Sequence, residues 1–79
     1  MRKILEVRAI EGYFSEYFFD NGSRKMADIR PYLDSEAFRL LHNLAVFQQV
    51  ENNKYYVSWQ NEEVDLSADT LWHIGKFVK

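Results

Sequence analysis

The chain has 79 residues, with 10 Lys and Arg against 12 Asp and Glu and a formal net charge of −2, and this length predicts one small domain over residues 1–79. Duplex-binding modules are usually distinctly basic, because neutralising phosphates supplies most of their affinity, so the charge disfavours nucleic acid as a partner. The chain has no Cys, which excludes disulfides, thiolate nucleophiles and most structural zinc sites.

No segment of the sequence is suited to a membrane. The apolar runs are far shorter than the roughly 20 residues of a membrane-spanning helix. Arg2 and Lys3 precede only two apolar residues before Glu6, which is too few for the apolar stretch of a signal peptide. We therefore expect a protein of the cytoplasm without a membrane partner.

The first segment, residues 3–10, is predicted to form a strand. Leu5, Val7 and Ala9 alternate with charged side chains, and successive side chains of a strand point to opposite faces. The pattern predicts that these three apolar residues share one buried face.

Residues 13–19 and 24–29 are predicted to form the next two strands, joined by a tight turn. The Asn21-Gly22 pair between them is typical of a two-residue type I′ turn, because both residue types tolerate positive φ angles. Pro31 then ends the third strand, since proline has no N–H to donate.

The middle of the chain is predicted to contain one helix and one short strand. A helix over residues 36–44 would bury a stripe of apolar residues, namely Ala37, Leu40, Leu41 and Leu44. A strand is expected around residues 47–51. Asn52-Asn53 is then expected to turn the chain into the following strand.

Residues 55–66 are predicted to form a hairpin around a polar turn at residues 60–63. Val64 and Leu66 are two residues apart, so both lie on the face that carries Trp59. This hairpin is expected to supply one side of the core.

A C-terminal helix is predicted to begin at Ser67, whose hydroxyl can accept from backbone N–H groups two or three residues on. Leu71, Ile74 and Val78 follow at spacings of three and four, which indicates an apolar stripe. Gly75 interrupts this stripe, so we expect the helix to end there with Gly75 as a left-handed cap. These elements predict an α+β domain: a small antiparallel sheet of five or six short strands built from hairpins, with one central and one C-terminal helix.

Several short motifs occur in order along nearly the whole chain. They are Lys3, Ile4 and Val7, then Phe19-Asp20-Asn21-Gly22, Asp28-Ile29-Arg30-Pro31-Tyr32-Leu33, Phe47 and Val50, Trp59, Asp65-Leu66-Ser67 and Leu71. In their order and spacing the chain resembles the small bacterial family catalogued as domain of unknown function 2442. Many members of that family carry a shorter Asn-Gly turn after the tryptophan, whereas here Asn61 is followed by Glu62 and Glu63.

The resemblance implies a compact α+β domain without an assigned enzyme activity. Some relatives in that family are fused to a helix-turn-helix domain. Others are encoded beside a second small protein in a toxin–antitoxin-like arrangement. The resemblance therefore implies a small co-encoded protein as partner and an antitoxin-like role.

The residues themselves do not form a recognisable catalytic or metal-binding pattern. A metal site needs three or four converging ligands, and the sequence shows no such set of ligand residues at a suitable spacing from His42 or His73. Ser67, Asp69 and His73 supply the residue types of a nucleophilic triad, but the hydroxyl of a helix cap is directed at backbone N–H groups. We therefore predict that the protein is not an enzyme and uses neither a cofactor nor a metal ion.

Two features are candidates for a binding site. The second strand carries aromatic residues on both faces, with Tyr13, Tyr17 and Phe19 on one face and Phe14 and Phe18 on the other. Exposed aromatic surface is typical of interaction sites, unless the two helices cover both faces. The second candidate is the acidic turn with Glu62 and Glu63. Trp72 of the last helix is a further candidate residue of the binding site.

These features predict a protein–protein interaction module that binds a small protein or a second copy of itself. The alternative is a nucleic-acid-binding or regulatory module with a basic patch, namely Arg2, Lys3, Arg8, Arg24 and Lys25. A homodimer is compatible with either hypothesis, through aromatic surface or through an unpaired sheet edge.

Overall fold

The computed structural model describes residues 2–78 and has an α+β fold with two antiparallel sheets. The first sheet has the order β1-β2-β3-β7, with β1 at Ile4–Ala9, β2 at Phe14–Phe19, β3 at Arg24–Asp28 and β7 at Lys76–Phe77. The second has the order β4-β5-β6, with β4 at Glu51–Asn52, β5 at Tyr56–Trp59 and β6 at Val64–Ser67. The helical segments are the 3-10 helices Arg30–Tyr32 and Glu36–His42, α1 at Leu44–Phe47 and α2 at Ala68–Ile74.

The α+β class and the antiparallel hairpins are confirmed, but the prediction of a single sheet is wrong. Helical segments between residues 30 and 47 separate the two groups of hairpins, so β3 and β4 do not become neighbours. After α2 the chain returns to the first sheet, where β7 pairs with β3 through Lys25 and Phe77. This return is a long-range contact, and no local pattern in the sequence indicates it.

One hydrophobic core joins the two sheets. Tyr17 and Phe19 come from the first sheet and Trp59 from the second, and all three side chains are fully buried. The indole N–H of Trp59 donates to the carbonyl oxygen of Phe47 at 2.9 Å, and the two rings stack with centroids 5.9 Å apart. These contacts fix α1 on the second sheet.

Strand β1 contains a β-bulge, which changes the face that Leu5 occupies. Ile4 is opposite Phe19 and Glu6 is opposite Phe18, so Leu5 is the extra residue in β1. As a result Ile4 enters the core and Leu5 is 61% exposed. The prediction of one buried face is wrong for Leu5, because the bulge interrupts the two-residue period, whereas Val7 and Ala9 do pack against the core.

The predicted helix over residues 36–44 is a 3-10 helix over Glu36–His42, followed by the short α1. A 3-10 helix has three residues per turn, so side chains three apart lie above one another. Phe38 and Leu41 consequently face the core, whereas Leu40 is 42% exposed. The predicted stripe of Ala37, Leu40, Leu41 and Leu44 is therefore wrong except at Leu41.

The hairpin of β5 and β6 and its continuation into α2 agree with the sequence. Trp59 pairs with Val64, and both Val64 and Leu66 are buried on the core side. The hydroxyl oxygen of Ser67 accepts from the N–H of Thr70 at 3.1 Å and so caps α2.

Gly75 ends α2, but not in the left-handed conformation. Its backbone is extended, with φ −76° and ψ 155°. A Cβ at this position would lie 2.8 Å from the carbonyl oxygen of Leu71 and 3.1 Å from Cβ of Lys25. Glycine is required here because two neighbours approach closely, and the predicted left-handed cap is wrong.

The turn between β2 and β3 differs from the predicted type I′ turn. Gly22 has φ 86°, whereas Asn21 has no positive φ angle. The N–H of Gly22 donates to the carbonyl oxygen of Phe19 at 3.0 Å, and the N–H of Phe19 to that of Ser23 at 2.9 Å. This pattern is a three-residue loop in which only the last residue is left-handed.

Candidate functional site

The structure places Tyr17 and Phe19 in the core, where neither can contact a partner. Their side chains are 0% and 1% exposed. The hydroxyl groups of Tyr17 and Ser15 share a hydrogen bond of 2.7 Å, and burial raises the pKa of Tyr17 well above its usual range. Of the two faces of β2 that the sequence leaves as candidates, the one with Tyr17 and Phe19 is therefore buried, so these two residues are not surface residues. The face is covered because it packs in one core with residues of the second sheet such as Trp59.

Tyr13 also has a structural role. It is half-buried, and its hydroxyl donates to the carbonyl oxygen of His42 at 2.8 Å. Its ring meets the ring of Phe47 edge to face, with centroids 5.1 Å apart. Tyr13 thus attaches the end of the 3-10 helix to the first sheet.

Trp72 is half-buried at the C-terminal end of α2. The ammonium group of Lys25 lies 3.9 Å from the ring centroid of Trp72 and donates to the carbonyl oxygen of Trp72 at 2.6 Å. Arg2 lies over the ring at 4.5 Å, and Phe77 meets it edge to face at 5.7 Å. This aromatic and cationic cluster ties β7 to α2, and Phe77 remains 65% exposed at its rim.

Glu62 and Glu63 lie at the turn between β5 and β6, in the second sheet, whereas Trp72 packs on the first. The carboxylate of Glu62 accepts a hydrogen bond from the hydroxyl of Tyr56, and this bond raises the pKa of Tyr56. The residues predicted from the sequence to form one binding site are thus divided among the core, the α2 cluster and this turn.

The predicted basic patch is divided in the same way. Arg2 pairs with Asp69 at 3.0 Å, and Lys25 is buried with 6% of its surface exposed. Arg8 and Arg24 lie on the outer face of the first sheet. Both pair with Glu16, at 2.7 Å and 3.6 Å respectively.

The outer face of the first sheet, which points away from the core, carries the other aromatic residues of β2. Phe14, Glu16 and Phe18 alternate with the buried side chains of this strand. The guanidinium groups of Arg8 and Arg24 lie 5.8 Å and 5.9 Å from the ring centroid of Phe18. The outer face therefore combines half-buried aromatic rings with arginines that are already paired to a carboxylate.

A groove runs along one side of the outer face. It consists of two adjoining cavities of about 310 Å³ and about 260 Å³, and Asp28 and Ile74 line both. The described residues that line this groove are Phe14, Met26, Asp28, Arg30, Pro31, Tyr32, Ile74 and Lys76. Its walls are mainly apolar, with charged groups at one side.

The charged groups of the groove are held by a local turn. The Oδ1 atom of Asp28 accepts from the backbone N–H and from Nε of Arg30, both at 3.0 Å, and Oδ2 accepts from Nη2 at 2.7 Å. These hydrogen bonds lower the pKa of Asp28. Across the part of the chain that the structure describes, Lys76 forms no ion pair, so its exposed ammonium remains available to a ligand.

No pattern in the sequence indicates the groove as a whole. Most of its residues come from the consecutive elements β2, β3 and the 3-10 helix Arg30–Tyr32, but Ile74 at the end of α2 and Lys76 in β7 come from the other end of the chain. The one local signal is the run Asp28 to Pro31, where a strand stops at a proline and a short acidic side chain can bind the following backbone.

Between residues 2 and 78 no group of three or more His, Cys, Asp or Glu side chains is placed to bind a metal ion. The hydroxyl of Ser67 is occupied by Thr70, and His42 Nε2 lies 2.6 Å from the carbonyl oxygen of Leu33. No helix of the described chain has the length and apolar character needed to cross a membrane.

The fold and the groove define a small α+β domain with an open, partly aromatic sheet face. The chain belongs to the family described as protein of unknown function DUF2442, whose model matches residues 4–77. The chain matches no curated protein and no solved structure.

Proposed function

We propose that the chain is a protein–protein interaction module, without enzymatic activity, that binds a small protein through the groove and the adjoining outer face. The observation that carries this proposal is the groove itself, in which Ile74 lines both cavities, Tyr32 lines one, and Met26 and Lys76 line the other. A concave apolar surface with a few fixed charges is typical of a site that takes one side chain of a partner.

The charges favour a protein over a nucleic acid. Arg8 and Arg24 are already paired with Glu16, and Arg30 is paired with Asp28. A phosphate backbone would have to compete with these carboxylates for each guanidinium group. Polar groups that are satisfied within the surface, next to aromatic rings, are instead compatible with a mixed protein interface.

The chemistry of the groove also specifies the partner segment. An aliphatic or aromatic side chain fits the apolar walls, and a neighbouring carboxylate would pair with Lys76. We therefore propose a partner segment in which an acidic residue lies next to a large apolar residue. An antitoxin-like role is part of this proposal, and it depends on whether the partner is toxic when it is expressed alone.

The test compares two variants with the same change of charge. Lys76→Glu reverses the charge of a lysine that lines the groove, whereas Lys54→Glu makes the same change at the exposed turn between β4 and β5. Tagged protein is purified from its native host with and without nuclease, and the bound protein is then titrated against purified variants.

The proposal predicts one stoichiometric, nuclease-resistant protein whose affinity falls at least about tenfold in Lys76→Glu, equivalent to about 1.4 kcal/mol, and stays unchanged in Lys54→Glu. In nuclear magnetic resonance spectra the partner should shift the signals of Met26 and Ile74. Recovery of nucleic acid alone, or equal binding by both variants, would refute the proposed site.

A further inference from the structure

The outer edge of β1 is open over a short segment. β1 is the first strand in the order β1-β2-β3-β7, so β2 pairs with only one of its edges. The N–H of Ile10 donates to the carbonyl oxygen of Phe14 at 2.9 Å, which directs Ile10 towards β2. Backbone groups alternate in direction along an antiparallel strand, so those of Val7 and Ala9 point away from β2.

The structure also fixes the two ends of this open segment. At one end, the N–H of Ile4 donates to the carbonyl oxygen of Lys54 at 2.6 Å, and Nδ2 of Asn52 donates to the carbonyl oxygen of Ile4 at 2.9 Å. At the other end, β1 stops at Ala9. The open edge therefore runs from Leu5 to Ala9, and Val7 is its centre.

The sequence of the open edge, Leu5-Glu6-Val7-Arg8-Ala9, is complementary to itself when it is read antiparallel. With Val7 opposite a second Val7, Glu6 faces Arg8 on each side and Leu5 faces Ala9. Directly opposed side chains of opposite charge stabilise an antiparallel pair, whereas like charges destabilise it. A shift of the register by one residue in either direction along the edge loses both charge pairs.

We propose that β1 pairs antiparallel with β1 of a second copy of this chain, about a two-fold axis at Val7. The backbone N–H and C=O groups of Val7 bond to those of the partner's Val7, and Glu6 pairs with the partner's Arg8. The pairing ends at Leu5, which the bulge puts out of line with Val7 and Ala9. An interface of this kind is isologous and closes at two copies.

Two features that often protect sheet edges are present, and both are compatible with this dimer. The bulge at Leu5 lies at the end of the open segment, so it limits the length of the pairing without interrupting its centre. The charges at Glu6 and Arg8 repel most strands, but they attract an antiparallel copy of the same strand. Arg8 donates to Glu16 of β2 through Nη2 at 2.7 Å, and a guanidinium has five N–H donors, so it can pair with the partner's Glu6 as well.

The dimer does not depend on the proposed function of the groove. An antiparallel pair of edge strands has its two-fold axis perpendicular to the sheet, so equivalent side chains of both copies point to the same side. The two outer faces would therefore form one continuous surface of eight strands, with a groove in each half. A dimer without a small-protein partner would leave this inference intact.

The test uses sedimentation equilibrium of the complete chain up to about 1 mM, a concentration that detects weak association. The wild type should dimerise. Glu6→Arg and Arg8→Glu each place like charges opposite one another, and each should raise the dissociation constant at least about tenfold. Glu63→Arg, with the same charge change at a distant turn, should leave it unaltered.

Mixing the two edge variants gives the decisive result. In a mixed dimer both cross-strand pairs again join opposite charges, so Glu6→Arg with Arg8→Glu should associate more strongly than either variant alone. In the wild type, hydrogen exchange at the N–H groups of Val7 and Ala9 should slow as concentration rises. A wild type that stays monomeric at about 1 mM, or a dimer that is indifferent to these changes, would overturn the inference.

Discussion

Replacing Gly75 tests whether its role is close packing or backbone conformation. In Gly75→Ala the new methyl group would lie 2.8 Å from the carbonyl oxygen of Leu71, which is backbone and cannot rotate away. Its second neighbour is Cβ of Lys25 at 3.1 Å, in the strand that packs against α2. Overpacking of this kind typically costs about 1–3 kcal/mol of the free energy of unfolding, and we expect a loss in that range.

Gly22 supplies the matched control. It has φ 86°, and a methyl group on its Cα would have no atom within 4 Å, so Gly22→Ala has room but adopts an unfavourable left-handed backbone. The cost there is about 1–2 kcal/mol, and Asn reduces it because Asn tolerates that conformation better. At Gly75 we expect no advantage of Asn over Ala, since Asn is larger than Ala and the backbone there is extended.

The assay is urea unfolding of the four variants, Ala and Asn at each glycine, with stabilities compared at constant m value. If close packing determines the residue at Gly75, the Asn variant should be more stable than the Ala variant at Gly22 and no more stable than the Ala variant at Gly75. A Gly75→Ala protein as stable as the wild type would refute the close approach. If the Asn variant at Gly75 were clearly more stable than the Ala variant, the left-handed cap predicted from the sequence would be supported instead.

Three further changes follow from the core and the turns. Burial raises the pKa of Tyr17, so the folded protein retains its full stability below the ordinary tyrosine pKa of about 10. Above that pH the free energy of unfolding falls by up to about 1.4 kcal/mol per pH unit. Tyr17→Phe should flatten this decline, which urea unfolding from about pH 8 to about pH 11 would measure. Gln60 has φ 53° at a turn, so Gln60→Gly should raise the melting temperature by removing up to about 1 kcal/mol of strain, and a lower melting temperature would contradict this. Trp59→Phe leaves a cavity and removes the hydrogen bond to Phe47, so it should lower the free energy of unfolding in urea by about 2–4 kcal/mol. A variant with nearly unchanged stability would contradict this prediction.

The sequence predicts best where neighbouring residues determine the structure. The pairing of Trp59 with Val64, the burial of Leu66 and the cap at Ser67 all depend on contacts within about a dozen residues. Their two-residue period and the capping hydroxyl are local signals, and the structure confirms them. The turn at Gly22 follows the same rule in part, because the need for a positive φ angle is visible in the sequence but the loop length is not.

The predictions that are wrong concern residues whose local structure is determined by a distant segment of the chain. The bulge at Leu5 places Ile4 instead of Leu5 on the core face of β1, and the 3-10 geometry replaces a period of 3.6 residues by one of three near Leu41. Aromatic residues occupy both faces of β2, so their pattern alone cannot indicate which face is buried. That choice depends on the second sheet, which covers Tyr17 and leaves Phe18 outside.

The two faces of β2 show why aromatic content alone does not locate a binding site. On the outer face, the rings of Phe14 and Phe18 each lie near a guanidinium group, at 5.3 Å for Arg30 and Phe14. An exposed cation–ring contact is worth only about 0.5–1 kcal/mol, so a partner can displace the arginine from the ring at small cost while its ion pair persists. The rings are thus shielded from water without being closed to a ligand. The groove beside Phe14 adds the shape that a flat face lacks, so we expect the proposed partner to bind there.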